Sequence, residues 1–139
     1  MKMKIYIIGI GLIGGSFAME MRKLFPKSKI IGIDNSENNL NKAHELGIID
    51  KKSGLLEISD ADIILVSVPV KSIINLLPNI LDKVNKNTLV IDFGSTKNSI
   101  CSAIKDHPNR ENFLATHPIA GTEFSGPTAA HKGLFTNKN

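Results

Sequence analysis

Three glycines near the amino terminus, followed at a set distance by an aspartate, constrain this chain more than any other feature. Gly9, Gly11 and Gly14 form a G-x-G-x-x-G run, and Asp34 lies 20 residues after Gly14. The run follows an apolar segment at residues 5–8 that predicts a buried strand, and it precedes a helix-like segment. In such a strand–turn–helix, Gly9 permits the tight turn, Gly11 lets a pyrophosphate approach, and Gly14 lets the helix pack on the strand. The pattern predicts a dinucleotide site with its phosphates at the helix N-terminus.

The position of Asp34 bears on which dinucleotide binds. It ends the next apolar run, where a carboxylate can accept hydrogen bonds from both ribose hydroxyls of an adenosine. NADP would place a phosphate beside this carboxylate, and no arginine follows within the next few residues to offset the repulsion. The sequence therefore favours NAD. The alternative is a helix-opening turn whose glycines serve packing only, which would leave Asp34 without a task.

Composition restricts the class of protein. The chain has 139 residues, 42% of them hydrophobic, which predicts one globular domain over residues 1–139. No apolar run is long enough to span a membrane, and the N-terminal run reads as a strand rather than a signal peptide. The single cysteine, Cys101, excludes an internal disulfide and suits the cytoplasm. Scattered lysines and dispersed histidines indicate neither nucleic-acid binding nor a metal site.

Strand-like and helix-like segments alternate along the chain. We predict strands at residues 4–9, 29–34, 48–52, 63–68, 89–92 and 113–116. We predict helices at residues 14–25, 72–84 and 98–105, and another that Asn35 or Ser36 caps and that ends near Leu46. Near-continuous apolar strands separated by helices are typical of a Rossmann-type, doubly wound α/β fold with a mainly parallel sheet. Ligands of such folds bind at the carboxyl ends of the strands.

Polar residues follow three of the predicted strands. Ser67-Val68-Pro69 come after the fourth strand and either line a ribose or simply terminate the strand. Residues 94–97 (GSTK) follow the fifth, with a glycine that would let backbone approach a ligand and three side-chain donors. The alternative is that Ser95 or Thr96 caps the next helix. His117 follows the sixth strand and precedes a Pro/Gly-rich loop, so we expect it to be catalytic.

These motifs, in this order, resemble the nucleotide-binding half of the prephenate dehydrogenase family. The matching elements are residues 9–16 (GIGLIGGS), Asp34, residues 67–69 (SVP), residues 92–97 (DFGSTK) and residues 117–123 (HPIAGTE). The glycine motif is shared with many dehydrogenases, whereas the last two motifs are much more specific. The resemblance implies NAD-dependent oxidative decarboxylation of prephenate to 4-hydroxyphenylpyruvate, a step of tyrosine biosynthesis.

The resemblance also implies roles for individual residues. His117 would accept the substrate hydroxyl proton, or a hydrogen bond from it, and Ser95 would help orient both. Gly121, Thr122 and Glu123 would belong to the substrate pocket, with Glu123 in the polar network that closes it. The residues expected to bind the cofactor are Gly9, Gly11, Leu12, Ile13, Gly14, Asp34, Ser67, Val68, Pro69, Ser95 and Lys97.

Members of this family carry a further, mostly helical domain that forms the dimer and supplies arginines to the substrate carboxylates. Arg22 and Arg110 are the only arginines of this chain, and both lie outside the matching motifs. We therefore expect an isolated cofactor domain that binds NAD and has little turnover alone. Three alternatives stay open: an arogenate dehydrogenase, whose substrate carries an amino in place of a keto group; a non-catalytic NAD-binding module; and another hydride-transfer enzyme, against which residues 117–123 argue.

Overall fold

A computed structural model describes residues 1–118 and 125–137. Its six strands form one sheet in which each neighbouring pair is parallel, in the order β3-β2-β1-β4-β5-β6. The strands are β1 (Lys4–Ile8), β2 (Lys29–Ile33), β3 (Lys51–Lys52), β4 (Ile63–Val66), β5 (Leu89–Asp92) and β6 (Phe113–Ala115). The predicted doubly wound sheet is thus confirmed. The strand order reverses between β1 and β4, so the ligand crevice of such a fold lies at their carboxyl ends.

Helices cover both faces of the sheet. They are α1 (Leu12–Leu24), α2 (Glu37–Glu45), α3 (Val70–Lys83) and α4 (Asn98–Ala103). Since side chains alternate along a strand, Ile5 and Ile7 are buried beneath α1 and α2, whereas Tyr6 and Ile8 belong to the core beneath α3 and α4. The two faces together build the hydrophobic core that holds the strand ends in place.

Several helices and strands have bounds that differ from the predicted ones. The third strand has two residues instead of five, and α4 ends at Ala103. The alternative in which Ser95 or Thr96 caps α4 is wrong, because the N-cap of α4 is Lys97, which makes no side-chain capping bond. The predicted cap of α2 is confirmed: the Ser36 hydroxyl accepts from the Asn39 amide at 3.2 Å.

The helix α3 begins at Val70 and continues through Pro78. A proline inside a helix removes one backbone hydrogen bond. The helix persists because one side of it is apolar and fully packed, as Ile73, Leu77 and Leu81 are inaccessible to solvent.

Three segments that the sequence did not predict are short 3₁₀ turns, at Leu55–Asp60, Arg110–Asn112 and Pro127–Ala129. The first carries a polar cluster at the amino ends of the strands, on the edge of the sheet opposite the crevice. There the buried Tyr6 hydroxyl donates to the Glu57 carbonyl at 2.8 Å and to Asp60 Oδ1 at 2.9 Å. Burial, followed by the hydrogen bond to Asp60, raises the pKa of Tyr6 from 10.0 to about 12.

This shift predicts how the fold responds to alkali. Because the pKa of Tyr6 is higher in the folded chain than in the unfolded one, its stabilising contribution is complete below pH 10.0 and is lost as the pH rises towards about 12. The chain has one tyrosine and no tryptophan, so the ultraviolet absorbance of tyrosinate reports Tyr6 alone. We expect a midpoint near 12 in the folded chain and near 10 after denaturation. A folded chain that titrates near 10, with its circular dichroism unchanged, would contradict the buried hydrogen-bonded phenol.

Candidate functional site

In the turn between β1 and α1, each of the three positions is glycine for a different physical reason. Gly9 has a φ of +92°, and a Cβ there would lie 2.4 Å from the Ser67 carbonyl oxygen. A Cβ on Gly14 would lie 2.1 Å from the carbonyl oxygen of Gly9. A Cβ on Gly11 would meet no atom of the described chain within 4 Å. Two glycines are therefore required by the fold itself, whereas the third leaves open space beside the turn.

The N-terminus of α1 faces this open space. Gly11 is its N-cap and supplies no side-chain capping bond, while its carbonyl accepts from Gly15 N at 2.9 Å. The backbone N–H groups of Leu12 and Ile13 belong to the first turn, where a helix offers them no partner of its own. The first turn also contains no acidic residue. Donors that the helix itself leaves unpaired, the helix dipole and the open space at Gly11 together suit a phosphate group.

Asp34 holds the glycine turn from the side of β2. Its Oδ2 accepts from Ile10 N at 2.9 Å, and its Oδ1 accepts from Ser36 N at 2.8 Å. Even without a ribose, Asp34 therefore has a structural task, which the packing-only alternative had denied it. A carboxylate has about four acceptor positions, so two such bonds leave capacity for ribose hydroxyls.

The loop after β4 closes the other side of the turn. Ser67 N donates to the Ile8 carbonyl at 2.7 Å, which sets the end of β4 against the end of β1. Val68 Cγ1 lies 2.8 Å from the position that a Cβ on Gly9 would take, and Pro69 is the N-cap of α3. The structure thus brings Ser67 and Val68 to the glycine turn, and Pro69 follows them at the start of α3.

A charged network that sequence reasoning missed joins the ends of β5 and β6. Asp92 is fully buried, and its Oδ2 accepts from Gly94 N at 2.9 Å and from the Lys97 ammonium. Its Oδ1 accepts from Thr116 N at 3.2 Å. Lys97 Nζ also donates to the Thr116 carbonyl at 2.6 Å, and the Thr116 hydroxyl donates to the Asp92 carbonyl at 2.6 Å. The signal for this network was an aspartate that ends an apolar strand five residues before a lysine.

Gly94 is closely packed, which the sequence did not indicate. A Cβ there would lie 2.7 Å from Ile100 Cδ1 and 3.0 Å from Asp92 Oδ2. Gly94 is small because the start of α4 and the Asp92 carboxylate pack against it. Ser95, the next residue, is exposed at the edge of the sheet.

His117 lies directly after Thr116 and is exposed. Among the described residues, no hydrogen bond joins its ring to Ser95, although both lie at the carboxyl ends of neighbouring strands. Gly121, Thr122 and Glu123, expected in the substrate pocket, lie outside the described residues.

An open groove of about 430 Å³ begins at His117 and continues along α1. Its walls are mainly aromatic and aliphatic side chains, including Phe17, Phe93 and Phe135. The Phe17 and Phe93 rings meet edge to face, with 5.4 Å between their centroids. The segment that carries Phe135 is fastened to α1 by Gly133 N, which donates to Glu20 Oε1 at 2.8 Å.

The two arginines are both used elsewhere. Arg22 pairs with Asp50 at 3.0 Å near the C-terminus of α1, and Arg110 Nη1 donates to the Phe113 carbonyl at 3.0 Å before β6 begins. Both positions belong to the amino ends of the strands, opposite His117.

Neither a metal-ligand cluster nor a membrane-spanning helix occurs in the described part of the chain. Within it, no three His, Cys, Asp or Glu side chains cluster as metal ligands would. Its helices also include none that is both long and apolar enough to cross a membrane.

The parallel sheet, the glycine turn and Asp34 define the class: this is a Rossmann-type nucleotide-binding domain. The family model described as "Prephenate dehydrogenase, nucleotide-binding domain" matches residues 17–139. The chain therefore belongs to the prephenate dehydrogenase family, as its motifs predicted.

Two curated relatives of this chain are also named prephenate dehydrogenase. The chain is 36% identical over 141 residues to a prephenate dehydrogenase of Bacillus subtilis, covering 99% of this chain and 38% of that protein. It is 40% identical over 138 residues to one of Lactococcus lactis, covering 96% and 39%. The chain thus spans about two fifths of the length of these relatives.

Solved structures show the same fold. Prephenate dehydrogenase from Aquifex aeolicus superposes with a TM-score of 0.86 at 32% identity, covering 96% of this chain and 49% of that one. Arogenate dehydrogenase from Synechocystis superposes with a TM-score of 0.83 at 29% identity, covering 98% and 48%. Another Aquifex aeolicus structure, in complex with hydroxyphenyl propionate and NAD+, gives a TM-score of 0.84 at 30% identity, covering 98% and 48%.

Proposed function

We propose that the protein containing this chain is an NAD-dependent dehydrogenase that oxidatively decarboxylates prephenate, and that this chain holds the dinucleotide. The observation that carries the proposal is the shared edge of the sheet. The open glycine turn, Asp34 and His117 all follow carboxyl ends of parallel strands. A dinucleotide bound at the turn would therefore extend along the edge that carries His117.

The chain's own geometry fits NAD. The space at Gly11 and the free first turn of α1 suit the pyrophosphate, and Asp34 retains acceptor positions for ribose hydroxyls. Leu12 and Ile13 would contribute backbone donors, and Ser67-Val68-Pro69 would line the ribose beyond Gly9. NAD, when bound, supplies the hydride acceptor.

His117 and Ser95 are the candidates for chemistry on the substrate. An imidazole can act as a general base, so His117 can take the proton of the ring hydroxyl as the carbon that bears this hydroxyl loses its hydride. Loss of carbon dioxide then makes the ring aromatic, and the same proton returns to the oxygen, which becomes the phenol. Ser95 would orient the hydroxyl and the imidazole. Glu123, Thr122 and Gly121 remain predicted neighbours of the substrate.

We favour prephenate over arogenate as the proposed substrate because the two curated relatives above, at 36% and 40% identity, are both named prephenate dehydrogenase. Prephenate carries two carboxylates. Since Arg22 and Arg110 both belong to the opposite edge of the sheet, neither is placed to bind these groups.

The test is turnover with defined substrates. The protein containing this chain is expected to reduce NAD when given prephenate, with a kcat/KM at least tenfold above that for NADP, because Asp34 would repel a 2′-phosphate. Arogenate, supplied at the same concentrations, should give a lower kcat/KM. Absorbance of the reduced cofactor measures all three rates.

Two variants separate the role of Asp34 from a general charge effect. Asp34→Asn should narrow the preference for NAD over NADP. Asp106→Asn removes an equal charge from an exposed turn after α4 and should leave the preference unchanged. Equal rates with NAD and NADP in the unaltered protein would disprove the assigned role of Asp34, and absence of turnover with both substrates would disprove the proposed function.

A further inference from the structure

Lys97 was expected to donate to the cofactor, but its surroundings point to a different task. Its ammonium is already engaged by two acceptors of the chain, the buried Asp92 carboxylate and the Thr116 carbonyl at 2.6 Å. Only 31% of the side chain is exposed. A buried carboxylate is tolerated when it is paired and hydrogen-bonded, so the structure itself requires this cation.

The same network fixes the backbone on both sides of the edge. Through Asp92 and Gly94 N, it determines the path of the chain that leads into Ser95. Through the amide, carbonyl and hydroxyl of Thr116, it holds the last residue before His117. One ammonium thus connects the two strand ends from which the candidate catalytic side chains project.

We propose that Lys97 is a positioning residue, whose ammonium clamps the end of β5 to the end of β6 and so sets the relative placement of Ser95 and His117. The change in turnover that this assignment predicts rests on the proposed function. It departs from the expectation that Lys97 binds the dinucleotide. In this position Lys97 acts through the backbone and touches neither cofactor nor substrate.

Two substitutions in the protein containing this chain test the clamp. Lys97→Met keeps most of the side-chain volume and removes the charge and the donors. Lys97→Arg keeps both. Lys71→Met is the matched control, because Lys71 is an exposed lysine in the first turn of α3, at the same edge of the sheet.

Three measurements are made on each variant: NADH affinity by calorimetry, kcat and KM with prephenate, and the ring signals of His117 in spectra of ¹³C-labelled histidine. The His117 signals are assigned from their loss in His117→Asn. For Lys97→Met we expect a kcat lower by about 10- to 100-fold, since a small misplacement of catalytic groups has effects of this size. NADH affinity should stay within about twofold, the His117 signals should shift, and Lys97→Arg should recover most of kcat.

Two outcomes would overturn the proposal. One is a tenfold or greater loss of NADH affinity in Lys97→Met with unchanged His117 signals, which would make Lys97 a cofactor ligand. The other is unchanged kcat and unchanged His117 signals in a folded Lys97→Met protein. If Lys97→Met does not fold, Lys97→Gln retains a donor for Asp92 without the charge and is measured in the same way. If the unaltered protein turns over neither substrate, the proposed function fails, and the His117 signals still decide whether the clamp exists.

Discussion

Replacing His117 by asparagine is expected to lower kcat with prephenate by about 10²- to 10⁴-fold, the range typical of losing a general base. Asparagine keeps a polar, hydrogen-bonding side chain but cannot take up the hydroxyl proton. His117 is exposed at the end of β6, so the substitution leaves no cavity and should not weaken the fold. NADH affinity should remain within about twofold, because the glycine turn and Asp34 are unchanged. Steady-state rates at saturating NAD and calorimetry with NADH measure the two quantities.

The matched control is His44→Asn. His44 is exposed in the last turn of α2, where the same loss of an imidazole should leave kcat unchanged. A fall of less than about threefold in His117→Asn would remove His117 from the chemistry, since general bases contribute far more than that. Equal losses in both variants would show that the effect does not depend on the position of the histidine.

The sheet and the dinucleotide turn could be predicted from the sequence because both depend on local patterns. Apolar runs separated by helical segments define parallel strands, and three glycines with an aspartate 20 residues later define the turn. The positive φ of Gly9 agrees with its predicted role in the tight turn, and the close packing at Gly14 agrees with its predicted role where the helix meets the strand.

The contacts between strand ends could not be predicted in this way. The burial of Asp92 and its bonds to Lys97 and Thr116 depend on which strands become neighbours, and β5 and β6 are separated along the chain by α4. Sequence reasoning expected the Lys97 ammonium to donate to the cofactor and did not indicate its bonds to Asp92 and Thr116. The Asp34 bond to Ile10 N was missed for the same reason, since it joins the ends of β1 and β2. The bond to Ser36 N is local and was missed because the pattern describes the ribose and not the turn.

Alanine substitutions at Gly14 and Gly11 both add one methyl group to the same turn, but we expect the first to lower mainly stability and the second to lower mainly NADH affinity. Gly14→Ala should lower the free energy of unfolding by about 1–3 kcal/mol or more, the usual effect of overpacking. The new Cβ would lie 2.1 Å from the Gly9 carbonyl oxygen, and a backbone atom cannot move aside as a flexible side chain can. Helix propensity alone would favour alanine by about 0.5–1 kcal/mol, so the sign of the change distinguishes packing from propensity. Urea unfolding without dinucleotide measures it.

Gly11→Ala should lower the free energy of unfolding of the unliganded chain by no more than about 1 kcal/mol, the cost of replacing glycine by alanine at a helix N-cap. Its Cβ meets no described atom within 4 Å, and Gly11 has a negative φ of −105° that alanine can adopt. The same Cβ would occupy the space through which a pyrophosphate approaches the turn, so NADH affinity should fall tenfold or more. Stability must be compared without ligand, because NADH stabilises whichever variant binds it. If Gly11→Ala binds NADH as tightly as the unaltered chain, the pyrophosphate does not lie at Gly11. If Gly14→Ala is as stable as the unaltered chain, the contact between α1 and the turn is looser than the structure shows.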